Sequence, residues 1–272
     1  MNRPENLGEI WPRLQEKLTA SPTEKAPTVA SPSAYCGGDR KLGQDCSYCS
    51  RPRNFADCGL YRKRWRELLE LSQIPPRYWN AADLFSRPPR QLAGAYRQVS
   101  NFLTNLPAAL AAGNGLLLKG RPGTSKTTVA VAVAMEVFRL RCHPALANTW
   151  TKPATSPVLF VPVAKLLDKL FTLKAVETRE WALYEERLLR VPLLILDDLG
   201  AEHPEGWVQT KIDSLIAERY NAKKSLVITT NLRSAELLNH YASRVMDRLY
   251  ESVLEINLVA ETLRNPLEAS SK

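Results

Sequence analysis

The sequence predicts an α/β fold, a parallel sheet covered by helices, set behind a small cysteine-bearing N-terminal module. Three observations predict it. From about residue 95, short apolar runs alternate with longer segments of helical spacing, the pattern of strands buried on both faces. A glycine-rich turn joins the first of these runs to an apolar helix. Four of the five cysteines fall within residues 36–58, a stretch too small to bury a core without a staple.

Taken in chain order, residues 1–34 read as a flexible N-terminal segment and linker. Positions 1–18 allow a short helix, but ASPTEKAPTVASPSA (20–34) is rich in Pro, Ser, Ala and Thr and has no apolar period. Residues 35–94 are expected to form a zinc-binding, partly helical adaptor. Cys36, Cys46, Cys49 and Cys58 have the spacing C-x9-C-x2-C-x8-C, which suits a tetrahedral zinc site with four thiolate ligands, free thiols being the alternative. Leu60, Trp65, Leu68, Leu69 and Leu71 then recur at near-helical spacing until Pro75-Pro76 stops the helix. Residues 95–272 form the main domain. Its expected strands are 115–119, 158–163, 192–197, 225–230 and 254–258, and its expected helices 127–141, 163–190, 206–221 and 234–240. His143, His203 and His240 fall in this domain at structural or exposed positions, and Cys142 reads as a packed thiol.

Composition narrows the function classes. The chain has 272 residues, 44% hydrophobic and 24% charged, so it is not disordered throughout. It holds no apolar run long enough to span a membrane, and MNRPENLGEIWPRLQEK is too polar for a signal or transit peptide, so a cytoplasmic protein is expected. Net charge is +9, of which residues 1–100 carry +6. A basic balance favours a polyanionic partner such as nucleic acid.

The chemistry is concentrated in three places. The run GLLLK leads into Gly120-Arg121-Pro122-Gly123-Thr124-Ser125-Lys126-Thr127 and then the helix from Thr128. Strand, glycine-rich turn and helix in that order cradle phosphates through backbone N–H groups. Lys126 neutralises phosphate oxygens and the Thr127 hydroxyl binds Mg2+. Glycine is usual where Ser125 stands; a positive φ there would cost roughly 1–2 kcal/mol. PLLILDDLG ends an apolar strand with paired carboxylates, which a parallel sheet presents at its carboxyl edge beside the loop. Asp197 is expected to hold Mg2+ and Asp198 to orient or deprotonate a water. SLVITT ends at Asn231, whose amide can bond a γ-phosphate or that water.

The blocks LLLKGRPGTSKT, VLFVPVAKLLDKL, LLILDDLGAEHPEGWVQTKIDSLIAERY, SLVITTNL and ASRVMDRL, over about residues 100–250, closely resemble the DnaC/IstB family of AAA+ ATPases, the replicative helicase loaders and transposase helpers. The resemblance implies a P-loop NTPase of AAA+ type that binds and hydrolyses ATP with Mg2+ and self-associates into a ring or spiral. Arg244 falls where the family places the arginine finger that reaches a neighbour's γ-phosphate, and Arg248 is a second candidate. Only 24 residues follow Arg248, so the lid is expected to be reduced or absent, and Asp198 stands where Glu is common. Implied partners are a replicative helicase or a transposase, and single-stranded DNA. Arg51, Arg53, Arg62, Lys63, Arg64 and Arg66 make the adaptor basic; they contact DNA phosphates, contact an acidic partner or form a solvated face. Lys165, Lys169 and Lys174 with Phe171 and Trp207 offer charge and stacking for single strands, core packing being the alternative for Trp207. A nucleotide-binding scaffold that scarcely hydrolyses is a further reading, motivated by Ser125 and Asp198.

Overall fold

Five apolar runs pair into one parallel sheet: β1 (Gly115–Lys119), β2 (Val158–Pro162), β3 (Leu193–Leu199), β4 (Ser225–Thr230) and β5 (Val253–Asn257). The computed structural model describes residues 59–81, 89–148, 155–174, 179–200 and 206–263. The strand order is β2-β3-β4-β1-β5. β1 and β4 are buried along their whole length, as near-continuous apolar composition requires of strands covered on both faces. β5, at the edge, exposes Leu254.

Side chains alternate between two cores. Leu116, Leu118, Phe160, Ile195 and Val227 pack on one side with α1 (Gly59–Leu71), α2 (Ala93–Thr104), α3 (Leu106–Ala112) and α4 (Lys126–Asn148). Leu117, Leu159, Leu194, Leu196 and Ile228 pack on the other with α5 (Val163–Lys174), α6 (Arg179–Arg190), α7 (Gly206–Asn221), α8 (Ser234–His240) and α9 (Ser243–Ser252). Residues 129–135 of α4 are buried all round because the sheet covers one side and α1 lies against the other.

β1, β4, α7 and α8 take the expected bounds, and the other strands shift by one or two residues. Within the helix expected over 163–190 lie α5 and α6, with residues 175–178 outside the described residues, and α2, α3 and α9 have no counterpart among the expected helices. α1 does not stand apart from the main domain. Trp65 meets Phe138 of α4 edge-on at 5.6 Å, Leu68 and Leu69 join the core of β1, and the Phe160 N–H of β2 donates to Ser72 O at 2.8 Å. The expected boundary at 94/95 thus runs through one continuous core. Cys36, Cys46, Cys49 and Cys58 lie outside the described residues. Among the described residues no helix is long and apolar enough to cross a membrane.

Candidate active site

β4 lies between β1 and β3, so the phosphate-loop strand and the acidic strand flank the strand that ends at Asn231. The three carboxyl ends open on one cleft of about 910 Å³, lined by Pro122, Gly123, Thr124, Ser125, Lys126, Thr127, Thr128, Asp197, Asp198, Thr229 and Asn231. That volume suits a ligand of nucleotide size. Gly120 sits beneath the loop: its N–H donates to Thr230 O at 3.3 Å and its carbonyl accepts from Lys126.

Loop geometry follows from two positive φ angles. Gly123 has φ +86°, and a Cβ there would come within 2.2 Å of Thr262 Oγ1, so only glycine fits. Ser125 has φ +65°, a left-handed conformation it holds at a side-chain penalty. α4 starts at the next residue, and its N-terminal N–H groups and dipole favour an anion there.

Lys126 is buried, and its ammonium donates to Gly120 O (2.8 Å), Arg121 O (3.0 Å) and Asn231 Oδ1 (2.7 Å). Asn231 Nδ2 in turn donates to Asp198 Oδ1 at 2.7 Å. A lysine can only donate and a carboxylate only accept, so the two partners fix the amide's orientation. The chain Lys126–Asn231–Asp198 thus joins the three sequence motifs.

Adjacent strand residues ordinarily face opposite sides, yet Asp197 and Asp198 both line the cleft. The β3–β4 register slips by one residue between Leu196 and Leu199, and Asp198 has φ +64°. This bulge re-aims the second carboxylate. Thr229, buried at the tip of β4, secures both: its Oγ1 donates to Asp197 Oδ1 at 2.7 Å and accepts from the Asp198 N–H at 2.9 Å. Thr127 also bonds Asp197. Burial raises the Asp197 pKa, the Thr229 and Thr127 bonds oppose the rise, Asp198 adds to it and Lys126 opposes it. A hydroxyl and a carboxylate already in contact at the cleft are hard oxygen donors of the kind Mg2+ takes.

Several residues escaped the sequence reading. Thr229 left one signal, a polar residue inside an apolar strand. Arg77, Tyr78, Asn80, Ala81 and Leu263 also line the cleft, from segments distant in sequence from the loop. The Leu263 N–H bonds Gly123 O at 3.0 Å.

The two arginines differ. Arg244, in the first turn of α9, is exposed and makes no ion pair among the described residues, whereas Arg248 is half-buried with its guanidinium 5.9 Å from the centre of the Tyr220 ring. Neither lines this chain's cleft. Lys165 is exposed and Lys169 stands 4.1 Å over the ring of Tyr184. The side chains of Phe171, Lys174 and Trp207 lie outside the described residues.

A model of the family described as IstB-like ATP binding protein matches residues 90–265. The chain belongs to that family. Among relatives of this IstB-like protein, the replicative helicase loader DnaI of Bacillus subtilis (strain 168) is 27% identical, the match covering 65% of this chain and 56% of DnaI. The replicative helicase loader DnaC of Escherichia coli (strain K12) is 26% identical over 49% of each. The chain therefore spans about half the length of these relatives. A crystal structure of the DnaC helicase loader superposes with a TM-score of 0.55 at 27% identity, covering 67% of this chain and 99% of that one. Replication initiator DnaA bound to AMPPCP and single-stranded DNA shares the fold, with a TM-score of 0.50 at 19% identity over 70% of this chain and 52% of its own. The IstB-like chain thus has the five-stranded parallel sheet of AAA+ ATP-binding proteins.

Proposed function

We propose that the protein is an ATP-hydrolysing helicase loader of the DnaC/DnaI type. It would act as an oligomer on single-stranded DNA and deliver a client, a replicative helicase. The observation that carries the reading is the convergence of Lys126, Thr127, Asp197, Asp198 and Asn231 on one cleft at the start of α4. The names of the relatives support the client.

In this reading the loop N–H groups and the α4 N-terminus bind the phosphates, and Lys126 exchanges its carbonyl and Asn231 partners for β and γ oxygens. Thr127 and Asp197 hold Mg2+, which neutralises phosphate charge when bound. Asp198 takes a proton from the attacking water as its oxygen bonds to the γ-phosphorus and the bond to the ADP oxygen breaks. Asn231 holds that water in line. Arg244 reaches the γ-phosphate in a neighbouring subunit, for which its exposure suits it. Tyr78 and Arg77 form the wall for the base. The four cysteines hold zinc in the adaptor, and Lys165 and Lys169 face DNA phosphates.

Three substitutions test the site together. Lys126→Ala is expected to abolish ATP binding, and Asp198→Asn to retain binding but lower turnover at least about a hundredfold. Arg244→Ala is expected to lower turnover only in the assembled state, about a thousandfold. Fluorescent-nucleotide titration and steady-state ATPase assays read all three. Full DNA-stimulated turnover in Arg244→Ala removes the finger, and ATP binding by Lys126→Ala removes the site. Capture from the source cell with ATP present distinguishes a hexameric helicase from a transposase as client.

A further inference from the structure

We propose that the stretch Leu258–Leu263 is a strap that holds the phosphate loop in its binding shape, with Leu263 as a positioning residue for the nucleotide. This rests on the reading of the cleft as an ATP site.

After β5 the chain runs along the loop and is tied to it at two points. The Leu258 N–H donates to Lys119 O at 2.7 Å, immediately before the loop begins, and the Leu263 N–H donates to Gly123 O at 3.0 Å, at its middle. Between them Ala260 packs against the core that holds Leu116, Leu118 and α4, and the Glu261 N–H donates to Gln91 Oε1 at 3.2 Å. The approach is closest at the two loop glycines. A Cβ on Gly120 would come within 2.4 Å of Leu258 O, and one on Gly123 would strike Thr262 Oγ1. The strap therefore requires both glycines before any phosphate is bound.

Arg121–Thr124 forms a tight turn with Pro122 second and Gly123 third at φ +86°, and the Thr124 N–H and Oγ1 both donate to Arg121 O, at 3.4 and 2.9 Å. That is the type II pattern, whose own bond uses only the first carbonyl. The third, Gly123 O, is taken up from outside by Leu263. Gly123 O belongs to the planar peptide that leads into Thr124, Ser125 and Lys126, so fixing its plane orients the N–H groups that follow. Leu263 is also exposed and lines the cleft with Tyr78 and Asn80. An apolar side chain in a cleft that also holds an aromatic ring suits a flat base, as the loop N–H groups suit phosphates. The backbone and the side chain of one residue thus serve the two ends of the nucleotide.

The test uses the full chain and two probes, a fluorescent ATP analogue titrated directly and inorganic tripolyphosphate by competition, with thermal melting to check the fold. Leu263→Pro removes the N–H and keeps an apolar side chain, and is expected to weaken both probes about tenfold. Leu263→Ala keeps the N–H, and is expected to weaken the ATP analogue about threefold while tripolyphosphate binds as in the parent. A folded Leu263→Pro protein with parental affinity for both probes overturns the proposal and leaves the ATP reading standing. Equal weakening of both probes by Leu263→Ala overturns the division between side chain and backbone. A parent that binds neither probe overturns the reading of the cleft itself. Should Leu263→Pro not fold, hydrogen exchange of the unaltered protein decides: tripolyphosphate is expected to slow exchange at residues 259–263 together with the loop, and slowing confined to the loop contradicts the strap.

Discussion

Ser125 holds a left-handed backbone conformation, φ +65°, that glycine adopts without a side-chain penalty. Ser125→Gly is therefore expected to stabilise the protein by about 1 kcal/mol in urea unfolding, the relief of one left-handed side chain exceeding the extra entropy of glycine in the unfolded chain. Asp197 offers a pH test. Its pKa in the folded protein is raised, chiefly by burial, so the folded state holds this proton more tightly than the unfolded chain does. Stability from this group is present in full below the ordinary carboxylate pKa and is lost as pH rises through the raised value. Asp197→Asn should accordingly melt a few degrees higher at neutral pH while losing Mg2+-dependent ATP turnover; a lower melting temperature would contradict the assignment of the shift to burial. That Lys126, Thr127 and the acidic pair share one cleft could be read from the sequence, because strand, turn and helix in that order place the loop beside the carboxyl ends of neighbouring strands. The direction of Asp198 could not, since it depends on a register slip against β4, and neither could the role of Thr229, which ties the Asp197 carboxylate to the Asp198 backbone N–H through contacts more than thirty residues away in the chain.

At the scale of elements, α1 decides where the folded unit begins. Its Trp65 packs on Phe138 and lies under the Arg139 guanidinium, 5.6 Å from its ring centre, while Ser72 Oγ bonds Ser156 Oγ at 2.7 Å beside β2. A chain starting at residue 59 should fold, and one starting at residue 95 should lose cooperative unfolding by circular dichroism, because removing Leu68, Leu69, Ile74 and Ala81 exposes the core where they pack. Equal melting of the two would restore the 94/95 boundary. Arg219 ties the other face. Fully buried, it donates to the carbonyls of Leu188, Leu189, Val191 and Ser225, joining the end of α6 to the starts of β3 and β4, and burial pulls its pKa down to about 9. Lysine lacks the planar fork to meet these acceptors, so Arg219→Lys is expected to cost about 3 kcal/mol in chemical denaturation. The strands and α7 were readable from apolar runs and helical period. The membership of α1 was not, since an amphipathic stripe does not name the surface it covers.

For the whole molecule, the surplus charge divides from the chemistry. Of the net +9, +6 lies in residues 1–100, and the nucleotide cleft accounts for little of it. Lys165, Lys169 and Arg187 gather on α5 and α6; burial lowers the Lys169 pKa and the other two cations lower it further, a cost that a polyanion on that face would offset. Lys165→Ala/Lys169→Ala should therefore weaken single-stranded DNA binding and flatten its salt dependence in fluorescence anisotropy, with ATP affinity unchanged. In the proposed mechanism a cleft built by one chain hydrolyses ATP when Arg244 of another completes it. The most direct measurement is steady-state ATP turnover in mixtures of two otherwise inactive variants, Lys126→Ala and Arg244→Ala, with single-stranded DNA. Mixing is expected to restore turnover, because an intact cleft meets an intact arginine at shared boundaries; a mixture as inactive as either variant alone would contradict a shared site.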